Sequence, residues 1–263
     1  MFGSPAFRRL WFAQVASSLG DWIGFIAITA IANRVGGGAS AGLGAVALVL
    51  SARLLPGFFF SPFAGVLLDR WNRKTIMVVS DVGRALVLCA LPFVHNLPGL
   101  FLASLVLELF TLMWSPAKEA SVPKLVPAEF LPTANSLSLA AAYGTFPLAS
   151  AVFAVLAKVP DWVGSTDNLE ALNLTKESVA LYFDALTYLV SALVITTLAI
   201  THQKRTTERA PEISRTKAGM KEVREGWSYI GTNTRVRSVI LGLATGLVGG
   251  GMVIPLGPSF AEN

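Results

Sequence analysis

Asp21, Arg53, Asp81, Arg84, Glu108 and Asp184 stand inside long apolar stretches of a 263-residue chain. Three of them share a depth. Asp21 lies ten residues into the block 11–32, Arg53 eleven into 42–68 and Glu108 ten into 98–115. At a rise of roughly 1.5 Å per residue, each sits about 15 Å from its block's start, the middle of a hydrocarbon core of about 30 Å. A charge there costs about 2.5 to 3.5 kcal/mol on insertion scales, so it marks function by default. Arg53, with Pro56 one turn on, can neutralise one of the two acids. The other is then a buried carboxylate without a partner, which is a proton-binding site. The competing arrangement is a structural Arg53–acid pair with the third charge in a water-filled space. Asp81 and Arg84, three residues apart, can pair on one helix face or join the charges at 69–74, in a structural or gating role. Asp184 is expected near the outer end of its helix, reaching headgroups or water.

The elements that must position these residues are membrane helices. Hydrophobic residues make up 53% of the chain, charged residues 14%, and mean hydropathy is +0.60, which excludes an ordinary water-soluble domain. Seven apolar blocks of spanning length are read at 11–32, 42–68, 76–94, 98–115, 135–157, 181–201 and 236–254. They lack the two-residue alternation of a membrane barrel. The fold class is therefore all-α: a polytopic membrane protein with an N-terminal six-helix bundle (1–201), a cytoplasmic linker (202–235) and a seventh helix (236–263) that opens a second bundle. A chain ending there reads as a fragment or truncation. Cys89 stands alone, so no disulfide framework is expected.

The net charge of +5 is topological. With a cytoplasmic N-terminus, sixteen of the 21 Lys and Arg residues fall on the inner side, nine of them between 201 and 237. Arg34, Lys158 and Lys176 fall outside. That is the positive-inside distribution, and it points to an inner (plasma) membrane location with the N-terminus cytoplasmic. Nucleic acid is not an expected partner; the lipid bilayer is. Within the linker, Met220, Val223, Trp227 and Ile230 share a helical face, the pattern of an amphipathic helix on the inner leaflet or packed on loops. Gly242, Gly246 and Gly250, at spacing four, are expected to serve helix packing. Asn173-Leu174-Thr175 matches a glycosylation sequon. No phosphate loop or clustered metal ligands occur, and His95 and His202 fall on opposite sides, so neither an enzyme, a metal site nor a cofactor is expected.

The stretch "GVLLDRWNRKTI" concentrates Asp69, Arg70, Arg73 and Lys74 between blocks two and three. As topology signals, the basic residues anchor helix ends at headgroups. Gly65, one turn before Asp69, permits a close backbone approach. Gly65-x-Leu67-x-Asp69-Arg70-x-x-Arg73-Lys74 resembles the loop 2–3 signature of the major facilitator superfamily, with Asn72 in place of its second glycine. "FRRLWFAQVASSLGDWI" is similar to the start of helix 1 in the family's bacterial drug and siderophore exporters. "SPAKEASVPKLVP" with "ANSL" resembles their loop 4–5, and "EGWSYI" their approach to helix 7. Two departures stand out. Helix 4 carries Glu108 where exporters often have an arginine, and the glycine-proline motif of helix 5 is reduced to Phe146-Pro147-Leu148-Ala149-Ser150. The resemblance implies twelve helices in two bundles, with helices 1 and 4 lining a central cavity and a C-terminal bundle needed to complete it. It implies proton-coupled efflux of small amphipathic molecules by alternating access, with Gly65, Asp69, Arg70, Arg73 and Lys74 as its loop 2–3 signature; these, with Asp81 and Arg84 by their position, are expected to serve gating. The competing functions are a siderophore or lipid carrier, and a transporter-like sensor or assembly partner that moves nothing.

Overall fold

In the computed structural model, residues 4–68, 71–163, 174–198, 228–229, 231–242 and 245 are described. The chain divides into two compact units, Met1–His202 and Gln203–Asn263. Among the described residues of the first, the α-helices are α1 (Pro5–Val35), α2 (Ala39–Leu68), α3 (Arg73–Ala90), α4 (Leu97–Glu119), the short α5 (Val122–Leu125), α6 (Leu131–Gly144), α7 (Phe146–Leu156), α8 (Val159–Val163) and α9 (Lys176–Thr196). Among the described residues, five helical stretches are long and apolar enough to cross a membrane, and Ala41–Gly57 within α2 is a shorter apolar one.

Local sequence explains where these helices begin. Ser4 caps α1, its hydroxyl accepting from Phe7 N, with Pro5 in the first turn. Asn72 caps α3 by accepting from Lys74 N, and Asn96 caps α4 by accepting from Gly99 N. Thr175 caps α9, with Glu177 in the first turn, where the helix dipole favours an acid. Asn72 is thus suited to its place, although the family signature has glycine there. Between α1 and α2 the chain turns through Gly37 and Gly38 at φ +88° and +68°, which non-glycine residues rarely adopt.

The fifth apolar block is one span in two pieces. α6 and α7 meet at Thr145, because Pro147 has no N–H for the Tyr143 carbonyl. α1 packs on α9 and α2, α3 on α9 and α4, and α2 on α4. Two apolar cores result. One gathers Ile23, Ala27, Leu88, Leu100, Leu107 and Leu181. The other gathers Phe7, Leu10, Met77, Trp114, Val122 and Ile195.

In the second unit, Asn233 caps a helix at residues 234–242, its side chain accepting from Val236 N at 3.3 Å. Met220, Val223, Trp227 and Ile230 of the expected amphipathic face lie outside the described residues, as do Gly246, Gly250 and the sequon asparagine, Asn173.

Candidate proton and substrate site

A polar layer runs between and beside the two cores. α1 crosses it with Gln14, Ser17, Ser18 and Asp21, α3 with Ser80, Asp81 and Arg84, and α9 with Asp184, Tyr188 and Ser191. On α9 these residues fall at spacings of four and three, which places all three on one buried face.

Arg84 is the hub. Its guanidinium donates through Nη2 to Asp81 Oδ1 and through Nη1 to the Tyr188 hydroxyl at 3.3 Å. It lies 4.1 Å from the centroid of the Tyr188 ring and 5.4 Å from that of Trp114, so aromatic faces enclose the cation. Asp81 Oδ2 accepts from Ser191 Oγ at 2.8 Å. The Tyr188 hydroxyl in turn donates to Asp21 Oδ1. Asp81 and Arg84 are 0% and 2% exposed, so this ion pair has been taken out of solvent entirely. Of the two alternatives for Asp81 and Arg84, the structure has them paired on one face, and it links them to Asp21 through Tyr188.

Asp21, Arg53 and Glu108 are half-buried. The charges of Arg53, Asp21 and Arg84 act on Glu108. Arg53 forms no ion pair among the described residues; its guanidinium carbon sits 6.0 Å from the centroid of the Phe25 ring. Glu108 has no hydrogen-bond partner among the described residues. The expectation for Asp184 needs correcting. It is 3% exposed and packed against α1, where the two helices approach closely over Gly20 and Gly24. α9 begins at Lys176, five residues before the apolar block, so Asp184 is two turns inside the helix and not at its edge.

The loop 2–3 cations tie helix ends together. Arg73 Nη1 donates to Ala120 O at 2.6 Å, at the end of α4. Lys74 Nζ donates to Thr196 O at 2.6 Å and Leu198 O at 2.9 Å, at the end of α9. Both cations meet carbonyls at the negative end of a helix dipole. Gly65 lies in the last turn of α2; Asp69 and Arg70 lie outside the described residues. No group of three His, Cys, Asp or Glu is placed to hold a metal ion among the described residues.

Sequence reasoning missed Tyr188, Ser191 and Trp114 altogether. Their signal was present only as polar or aromatic residues at helical spacing beside Asp184 and at the end of the α4 block.

The family model for the Major Facilitator Superfamily matches residues 10–263. The chain belongs to the Major Facilitator Superfamily. Among its relatives, the uncharacterized MFS-type transporter YfiS of Bacillus subtilis is 32% identical over 140 residues, 51% of this chain and 33% of that protein. An uncharacterized MFS-type transporter of Mycobacterium tuberculosis is 30% identical over 52% of this chain and 32% of its own length. YkuC of Bacillus subtilis, likewise an uncharacterized MFS-type transporter, is 25% identical over 97% of this chain. The chain spans about half the length of YkuC, 56%, and a third of YfiS. No solved structure matches. As a Major Facilitator Superfamily member with helices of spanning length, it is an all-α, multi-pass membrane protein.

Proposed function

We propose that this chain works in a secondary active transporter that exports small amphipathic molecules in exchange for protons, by alternating access. It is a transporter and not an enzyme on this reading. Residues 1–201 form one bundle, 202–235 a cytoplasmic linker, and 236–263 the opening helix of a second bundle that completes the cavity. The sequence of relatives such as YkuC extends beyond the matched span. The membrane is the cell's inner membrane, with the N-terminus cytoplasmic, as the distribution of Lys and Arg favours.

One observation carries the coupling. Among the described residues, four carboxyl groups, Asp21, Asp81, Glu108 and Asp184, stand in or beside the polar layer against two cations, Arg53 and Arg84. Arg84 is committed to Asp81 and Tyr188, and among the described residues Arg53 pairs directly with none of the four. Carboxylates in excess of their counter-charges, in a family of membrane proteins, are suited to binding and releasing protons. Asp21 and Glu108, partly open to the surroundings, are the positions where a cationic group on a substrate would compete with the proton. Asp69 with Gly65, Arg70, Arg73 and Lys74 forms the cytoplasmic gate that opens and closes as the bundles rock.

The test is efflux from proteoliposomes holding the complete protein, with and without a pH gradient. Glu108→Gln or Asp21→Asn should abolish gradient-driven accumulation while downhill exchange survives. If both variants respond fully to the gradient, the coupling site lies elsewhere. If the wild-type protein moves no amphipathic probe in either direction, the exporter reading fails.

A further inference from the structure

Asp184 is the fully buried acid that the circuit through Arg84 leaves out. Its carboxylate lies in a groove that α1 forms by lacking side chains: a Cβ on Gly20 would collide with Asp184 Oδ1 and Thr187 Oγ1, and one on Gly24 with Asp184 Oδ2. Both oxygens therefore face helix backbone whose N–H groups are spent within α1. Among the described residues, the hydrogen-bonding group within reach is the Thr187 hydroxyl, at 3.5 Å from Oδ1. That hydroxyl has one hydrogen to give, to the Asp184 backbone carbonyl at 2.8 Å or to Oδ1 at 3.5 Å, and the much shorter contact makes the carbonyl the better acceptor. What remains at Thr187 Oγ1 is a lone pair. An ionised Asp184 finds no committed donor there, whereas a neutral carboxylic acid has a proton to offer that lone pair.

The surrounding charges offer no substitute. α1 presents Asp21, a like charge; α2 presents Arg53, which lies over Phe25; α3 presents Arg84, already held by Asp81 and Tyr188. On α9 itself Tyr188 is turned to Asp21. α7 brings no ionisable residue, and α8 carries Asp161.

We propose that Asp184 is a second proton-carrying acid, neutral while α9 is seated against Gly20 and Gly24 and ionised when α1 and α9 part. The step is a simple exchange: the carboxylic acid loses its proton to water as the groove opens, and the carboxylate recovers one before it closes. Proton occupancy then locks or releases the α1–α9 seam, separately from the substrate-facing Asp21 and Glu108. The proposal gives the exporter reading a proton site and a moving part, and rests on it for its role in transport. The protonation state itself stands on the geometry alone.

The experiment is infrared difference spectroscopy of the full chain in lipid, titrated from acid to alkaline pH without substrate or gradient. The expected result is a protonated-carboxyl band at neutral pH that vanishes in Asp184→Asn and survives in Asp21→Asn and Glu108→Gln. Gly24→Ala keeps the acid but fills its groove, and should make the same band titrate at lower pH. A neutral-pH spectrum without that band, a band that persists in Asp184→Asn, or one that does not move in Gly24→Ala overturns the proposal. A band that behaves as expected in a protein that transports nothing supports the proposal and counts against the exporter reading only.

Discussion

The Tyr188 hydroxyl in α9 donates a hydrogen bond to Asp21 in α1 while accepting one from Arg84 in α3. One oxygen thus joins three helices, and the acid at the edge of the cluster is tied to the cation at its centre. Tyr188→Phe removes that oxygen and leaves the ring beneath Arg84. The buried Arg84 and the half-buried Asp21 then each lose a partner, at about 1 to 3 kcal/mol. The expected outcome is a lower thermal unfolding temperature in detergent together with a changed pH dependence of efflux. Unchanged behaviour in both measurements would make the contact incidental.

The Asp81–Arg84 pair should show strong non-additivity. Breaking a buried pair from one side leaves a charge uncompensated, at about 3 to 5 kcal/mol. Asp81→Asn should therefore be severely destabilised, whereas Asp81→Asn combined with Arg84→Gln should recover much of the loss. Thermal unfolding of the four proteins in a double-mutant cycle measures this. A double variant less stable than either single one contradicts it.

Much of this cluster is legible in the sequence and part is not. The spacing of Asp81 and Arg84 already allows a pair, because residues three apart share a helix face. Depth arithmetic singles out Asp21, Arg53 and Glu108 from counting alone. It cannot say which side chains meet, and so it gives Arg53 to a carboxylate when the structure sets it over Phe25. Asp184 is misplaced because apolarity marks the greasy part of a helix, whereas α9 starts earlier with its cap at Thr175 and a polar first turn. Tyr188 escapes notice because a tyrosine in an apolar block looks like core until its hydroxyl's partners, 104 and 167 residues away, are seen.

Gly83 is a test of how tightly α3 and α4 pack. A Cβ there would meet the Phe110 ring. Gly83→Val should cost about 1 to 3 kcal/mol through overpacking. Pairing it with Phe110→Ala should recover stability, although Phe110→Ala alone is destabilising. Yield of monodisperse protein and its unfolding temperature report the outcome; no recovery in the pair would place the strain elsewhere.

Lys74 closes the end of α9 from the start of α3. Lys74→Gln removes a cation from those carbonyls, worth about 0.3 to 1 kcal/mol. Amide hydrogen exchange over residues 193–198 should quicken by roughly two- to fivefold, with little change in the middle of α9. Uniform exchange along α9 would show that the clamp does not hold this end.

The grip of α1 on α6 has a consequence for the order in which the chain is made. Trp11 Nε1 donates to Leu137 O at 2.9 Å, Gln14 Nε2 to Ser138 O at 2.9 Å and Trp22 Nε1 to Ala142 O at 2.8 Å. The partners stand 126, 124 and 120 residues downstream. At about 5 to 20 residues per second, the ribosome delivers those carbonyls roughly 6 to 25 seconds after it releases the first helix. For that interval three polar side chains have no final partner, in a solvent of lipid where unmet donors are expensive. The first helix is therefore expected to stay at the insertion machinery until the fifth span arrives. A ribosome stalled before residue 137 should leave the first helix still crosslinkable to the translocon.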